Sequence, residues 1–234
     1  MDEVNNKLGK RIRAIWEEPK FEVFFKFFSK NTPRLIKKGT VLFNEGDELD
    51  KVYFIYKGFV KLYRLSSEGR ETTSYLYGPG QILGVRALTS EDECARHFAE
   101  AITDLEIITI NRKDYFEAVV KNPEYLLDLL HVFIDRLNYT ERKLEGFIIT
   151  DVTSRVAYFL LDIANRFCQG KTKNFELPLS LTHQRIAEFV GSFRETVTLS
   201  LNKLQKEGVL KDERGKITIL DLKKLNKSAQ STKS

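Results

Sequence analysis

Arg194 and Glu195 stand side by side in the run Gly191-Ser-Phe-Arg-Glu-Thr-Val-Thr198. An arginine fork donates two parallel hydrogen bonds and matches the O6/N7 edge of guanine, while a carboxylate accepts from the amino group of cytosine. Ser192, Phe193 and Thr198 flank the pair and complete the residues that can reach a base edge. This is recognition chemistry, and no reaction chemistry accompanies it. The chain shows no nucleophile with a base and an orienting group, and no glycine loop followed by a phosphate-binding lysine. Its three His and two Cys do not cluster, so no metal site is expected. An iron–sulfur cluster needs about four thiolates, and nothing supports His97 or His131 as a haem ligand. No cofactor is identified, and an enzyme is not expected.

Residues that read bases must be held by elements that fit a groove. Ile186, Ala187 and Val190 mark one face of a short helix that Gly191 breaks. Val197, Leu201 and Leu204 recur at i, i+4, i+7 and give a second helix its buried stripe, up to Gly208. Two short helices around a glycine turn form a helix-turn-helix, whose second helix enters the major groove with its first residues on base edges. An ordinary helical hairpin with a solvated charged face is the plainer alternative. The following Gly208–Leu220 run reads as two short strands about a polar turn, a wing whose Lys211, Arg214 and Lys216 can meet phosphates. From Ser180 onward there are eleven Lys/Arg against six Asp/Glu, an excess equal to the +5 of the whole chain. Positive charge gathered at one end points to a polyanion partner.

This stretch closely resembles the DNA-binding domain of the Crp/Fnr family of bacterial transcription regulators. The pattern is carried by Thr182, Gln184, Ile186, Ala187, Val190, Gly191, Arg194, Glu195, Thr196, Val197, Leu201 and Leu204, with Arg194-Glu195-Thr196-Val197 its most specific part. The resemblance implies that Arg194 and Glu195 read bases and that Thr196 contacts the backbone. Where the cAMP-binding prototype of the family has a further base-reading arginine one turn on, this chain has Leu199, which offers apolar contact, for example to a thymine methyl. The candidate DNA contacts are therefore Thr182, Gln184, Ser192, Arg194, Glu195, Thr196, Thr198, Leu199, Lys203, Arg214 and Lys216.

At 234 residues the chain accommodates two domains with a substantial core. Residues 1–33 read as a helical lead-in, with Phe21, Phe24, Phe25 and Phe28 as core residues. From Leu35 the period changes to short β runs at 35–36, 41–43, 52–55, 59–63, 73–76 and 105–110, separated by glycine turns. With Gly39, Gly46, Gly58, Gly80 and Gly84 at the matching places, this region resembles the family's cyclic-nucleotide-binding jelly roll. The family's nucleotide binders carry G-E-L and, some ten residues later, R-S-A. Here Gly84 keeps the glycine, Val85 replaces the carboxylate, and the R-S pair falls at Ala95-Arg96. A one-residue shift along a strand reverses a side chain's direction. Arg86 and Arg96 are the remaining candidate charges for an effector, with surface solvation as the plainer role; the ligand is not expected to be cAMP, and the effector is unknown. Cys94, in a polar loop, is a candidate redox thiol, whereas Cys168 reads as core.

Asn111 can cap a helix over 114–120, and Pro123 precedes the longest regular feature. Leu126, Leu130, Phe133, Leu137, Thr140, Leu144 and Phe147 are spaced 4, 3, 4, 3, 4, 3. This a/d seam predicts helix pairing between two chains. Thr140 aligns with a family Thr that touches the ligand from the dimer helix, and Glu141 stands where a Ser follows it, so both join Gly84, Val85, Arg86 and Arg96 as effector-site candidates. Asp151 ends the helix and caps the next, whose apolar positions are Val156, Phe159, Leu160 and Ile163. The expected fold is α+β: an N-terminal jelly-roll effector domain over 1–123, a dimerisation helix over 124–150, a winged helix-turn-helix over 151–225, and a disordered tail over 226–234. The reading is a homodimeric, sequence-specific regulator on double-stranded DNA with a pseudo-palindromic operator. RNA polymerase is a further candidate partner, no membrane contact is expected, and the default compartment is a reducing cytoplasm. The rivals are a small-molecule-binding module signalling through protein contacts and a regulator without effector, controlled by its abundance.

Overall fold

The computed structural model describes residue 28 and residues 31–85, 94–122, 124–149 and 151–230. Phe21, Phe24, Phe25, Arg86 and Pro123 lie outside these residues. The chain divides into two compact units, one holding residues 1–64 and 74–138 and the other 65–73 and 139–234.

The first unit is a β structure of two four-stranded sheets with the orders β1-β8-β3-β6 and β2-β7-β4-β5. The strands are β1 (Arg34–Ile36), β2 (Val41–Phe43), β3 (Lys51–Lys57), β4 (Val60–Leu65), β5 (Glu71–Tyr77), β6 (Ile82–Leu83), β7 (Phe98–Ala101) and β8 (Leu105–Asn111). β3 pairs antiparallel with β8, setting Phe54 opposite Ile108 and Ile55 opposite Ile107. Alternation sends the two pairs to opposite faces, and both faces are buried. The expected jelly-roll architecture is what the chain forms. β6 and β7 are additions: two residues of strand, and a Phe-Ala-Glu-Ala run too poor in β-branched residues to signal one.

Two glycines show why the turns of this unit need glycine. Gly58 has φ +88° and a Cβ there would overlap the Asp104 carbonyl oxygen. Gly84 has φ +89°, and a Cβ would come within 2.5 Å of the Lys51 carbonyl oxygen. Each takes a left-handed backbone and a close approach that other residues resist.

One face of the first sheet is covered by helices. Helix α1 (Arg112–Lys121) starts two residues earlier than expected. Asn111 occupies its N-cap position, but its side chain makes no capping hydrogen bond, which corrects the role expected for it. Tyr115 and Val119, one turn apart, join Phe28, Val52, Phe54, Ile82, Val85, Ile108 and Ile110 in one core cluster. Phe28 stacks on Phe54 with ring centres 4.9 Å apart.

Helix α2 (Glu124–Ile149) is continuous over 26 residues. Tyr125, Leu129 and Phe133 lean on the core cluster. Leu126, Leu130, Leu137 and Leu144 point outward, each 52–58% exposed. Phe133 of the expected seam is half-buried: at 100° per residue it sits on the border of the two faces and packs against the β core cluster, while exposed Ile134 stands beside the outward line. Thr140 is exposed on the same helix.

In the second unit, helix α3 (Val152–Phe167) begins where Asp151 accepts from the Ser154 N–H at 3.0 Å. Its expected apolar positions, Val156, Phe159, Leu160 and Ile163, are all buried. Helices α4 (His183–Val190) and α5 (Arg194–Lys206) follow, with a small sheet of order β10-β11-β9 built from β9 (Phe175–Glu176), β10 (Leu210–Glu213) and β11 (Lys216–Ile219). Residues 226–229, expected to be disordered, instead complete helix α6 (Leu222–Ala229). Asp221 accepts from the Lys223 and Lys224 N–H groups at its start, and Leu225 and Ala229 are buried one turn apart. The polar composition concealed a cap and a two-residue apolar stripe. Among the described residues no helix is long and apolar enough to cross a membrane.

Candidate nucleic-acid interface

The turn between α4 and α5 is built by local chemistry. Thr182 caps α4, its hydroxyl accepting from the Arg185 N–H at 3.2 Å. Gly191 closes the helix in the left-handed region at φ 62°, ψ 52°, the C-terminal stop that glycine favours. Ile186, Ala187, Phe189 and Val190 of α4 are buried, and Val197, Leu201 and Leu204 of α5 are fully so. The apolar periodicity therefore locates the inner face of both helices, and burying it orients the outer face.

That outer face carries the expected readers. Arg194 and Glu195 open α5 and are exposed. Leu199 is 70% and Phe193 65% exposed, two large apolar side chains on a face otherwise charged. Ser192, Thr196 and Thr198 are half-buried. The Thr198 hydroxyl lies 2.9 Å from the Arg194 carbonyl and 2.7 Å from His183 Nδ1, so its polar partners are within the protein. Thr182 and Gln184 are exposed at the start of α4, where Gln184 donates to Glu188 at 3.1 Å. Lys203 is exposed too, but it lies nine residues from Arg194, about 13 Å along the helix. It lines a groove with Asp151, Glu207, Lys224 and Lys227. The structure thus separates Lys203 from the cluster at the start of α5 and sets it in the last turn, where a cation suits the helix dipole.

The wing is a tight two-residue hairpin. Glu213 pairs with Lys216, leaving Arg214 and Gly215 as the turn. Both have positive φ, 58° and 86°, the combination of a type I′ turn. Gly215 is pinned from two sides: its N–H donates to Asp212 Oδ1 at 2.9 Å, and its carbonyl accepts from the Leu181 N–H at 2.8 Å. Lys211, Arg214 and Lys216 are exposed on this hairpin, with Lys211 paired to Glu213 at 2.7 Å.

Sequence reasoning missed His183. Its ring nitrogens lie 2.7 Å from Thr198 Oγ1 and 2.7 Å from Asp212 Oδ2. The partners are 15 and 29 residues away, so no local pattern announces them.

The effector candidates are less assembled. Val85 is buried in the apolar core cluster and offers no polar group. Ala95 is buried, its backbone bonded to Gly46 and Asp47. Arg96 is exposed, as are Thr140 and Glu141 on α2. Cys94 is exposed and pairs by backbone with Glu48, while Cys168 is buried at the end of α3. Burial raises the Cys168 thiol above its usual range, against the pull of Lys171.

Comparison with known proteins follows the same division. Residues 33–122 match the cyclic nucleotide-binding domain family, and residues 154–228 match the Crp-like helix-turn-helix domain family. The chain is 32% identical to a global nitrogen regulator of Nostoc over 78% of its own length and 82% of the relative's. It is 31% identical to a CRP-like cAMP-activated global transcriptional regulator of Mycobacterium tuberculosis, over 82% and 86% of the two chains. Among solved structures, a transcriptional regulator of the CRP/FNR family from Thermus thermophilus superposes with a TM-score of 0.69 at 30% identity, covering 86% of this chain and all of that one.

Proposed function

Because this chain belongs to the Crp/Fnr family and is a transcription regulator with a helix-turn-helix DNA-binding domain, we propose that it acts as a homodimer on a pseudo-palindromic operator. Two copies of α5 enter successive major grooves at half-sites about one helical turn apart. The observation that carries this reading is the side-by-side exposure of Arg194 and Glu195 on the first turn of a helix whose opposite face is fully buried. Arg194 reads guanine, Glu195 reads cytosine, and Leu199 supplies an apolar contact. Thr182, Gln184, Ser192 and Thr196 position the backbone, and Arg214 and Lys216 of the wing meet phosphates. The exposed leucines of α2 support the dimer, because a stripe of this kind on a 26-residue helix suits helix–helix pairing between two chains.

The effector of this chain is not cAMP. The two positions that carry the family's ribose carboxylate and phosphate arginine are Val85 in the apolar core and buried Ala95, and neither holds a group that can bind a ribose hydroxyl or a phosphate. Selection of sites from a random DNA pool, with and without cAMP, tests both parts. A palindrome recovered equally from the two pools is the expected result. A palindrome recovered only with cAMP would refute the effector reading, and no enrichment from either, or from a pool supplemented with cell metabolites, would refute the operator reading.

A further inference from the structure

We infer that His183 is a positioning residue that locks the wing to the recognition helix, so that base contacts and phosphate contacts are made in one fixed register. The inference rests on the DNA-binding reading above and adds a residue to it that no sequence pattern marks.

The geometry joins three elements through one ring. His183 opens α4, Thr198 lies on α5, and Asp212 lies on β10. The imidazole spans the gap, with Nδ1 at 2.7 Å from Thr198 Oγ1 and Nε2 at 2.7 Å from Asp212 Oδ2. Each end is itself tied to a DNA-facing part. Thr198 Oγ1 lies 2.9 Å from the carbonyl of Arg194, the residue placed on guanine. Asp212 Oδ1 accepts from the N–H of Gly215 in the wing turn, and the Asp212 N–H donates to Gln205 Oε1 on α5 at 2.9 Å. The carboxylate of Asp212 is 8% exposed. A carboxylate so placed is costly without partners, and His183 and Gly215 occupy its two oxygens. Wing and helix are also joined through Gln205 and share a buried apolar contact around Leu204, Leu210 and Ile217, but His183 is the side chain that reaches both Thr198 and Asp212, and phosphate contacts fix register only when their spacing to the base-reading side chains is fixed.

The experiment uses the full-length chain and the operator recovered by selection. His183→Ala, Asp212→Ala and the double variant are titrated against operator and random duplex over a range of salt, with urea melts of each. The clamp predicts that either single substitution weakens operator binding about tenfold while random-duplex binding changes less. The double variant should lose no more than one single variant. The salt slope on the operator should become shallower as wing phosphates disengage. His183→Gln, whose amide keeps a donor toward Asp212, should recover part of the loss and guards against an alanine variant that fails to fold. Operator affinity within about twofold of the parent for His183→Ala, or additive losses in the double variant, would overturn the inference. If the parent chain prefers no duplex over random DNA, the DNA reading fails instead. The clamp is then judged from the melts, where independent effects of the two substitutions refute it.

Discussion

Arg194 is exposed where α5 begins, with its neighbour Glu195 beside it and Val197 anchoring the turn beneath. Arg194→Ala should therefore cost about 1–3 kcal/mol of operator affinity and relax one base position, measured by competition with single-base variants of the operator. Equal loss on operator and random DNA would reassign Arg194 to phosphate binding. A second residue-scale expectation concerns Lys143 on α2. Burial lowers its ammonium from 10.5 to about 8, with Asp162 pulling upward. Between those values the unfolded chain binds a proton that the folded chain does not, so stability rises with pH across that window and is flat below it with respect to this group. Urea melts at about pH 7.5 and about pH 9.5 should show this gain in the parent and a smaller one in Lys143→Met. Residue identity was the most legible layer at the reader: Arg194, Glu195 and Leu199 are where the sequence motif puts them. Val85 was legible as a missing carboxylate, but its place inside the core was not.

At the scale of elements, the two faces of α2 separate what one periodicity merged. The inner face, with Tyr125, Leu129 and Phe133, packs on the β unit, and the outer leucines, exposed in the single chain, are the proposed dimer contact. Leu130→Glu with Leu137→Glu should convert the dimer to a monomer without unfolding the β unit, because both side chains are already solvent-exposed in the single chain. Sedimentation velocity with a parallel thermal melt checks this, and a dimer that survives both substitutions would place the interface elsewhere. The start of α3 is a simpler test. Asp151→Ala removes the acceptor for the Ser154 N–H and should cost about 1 kcal/mol in urea unfolding. The cap at Asp151 was readable because it is local, whereas Thr182, read only as a DNA-contact residue, proves also to cap α4. The cap at Asp221 is equally local, yet the polar sequence after it hid the helix until Leu225 and Ala229 were seen to be buried.

For the whole molecule, the basic excess lies in the part of the chain that holds the reader. Operator affinity should fall by about 10³-fold or more between about 50 and about 200 mM salt if a dimer neutralises six or more phosphates; filter binding across that range measures it, and a flat response would contradict groove binding. The two-part architecture, the helix-turn-helix and the wing are legible in the chain itself, as is the adjacency of Arg194 and Glu195, the pair proposed to read bases. Each of these is written in short-range signals: glycines at left-handed turns, period-two and period-3.6 apolar patterns, and a motif confined to one helix. Packing alone brings Phe133 against the β core cluster and joins α4, α5 and the wing through His183. Those facts depend on residues brought together across 15 to 29 positions, or on which side of a helix meets a neighbour. Chain order does not encode either until packing fixes the elements in space.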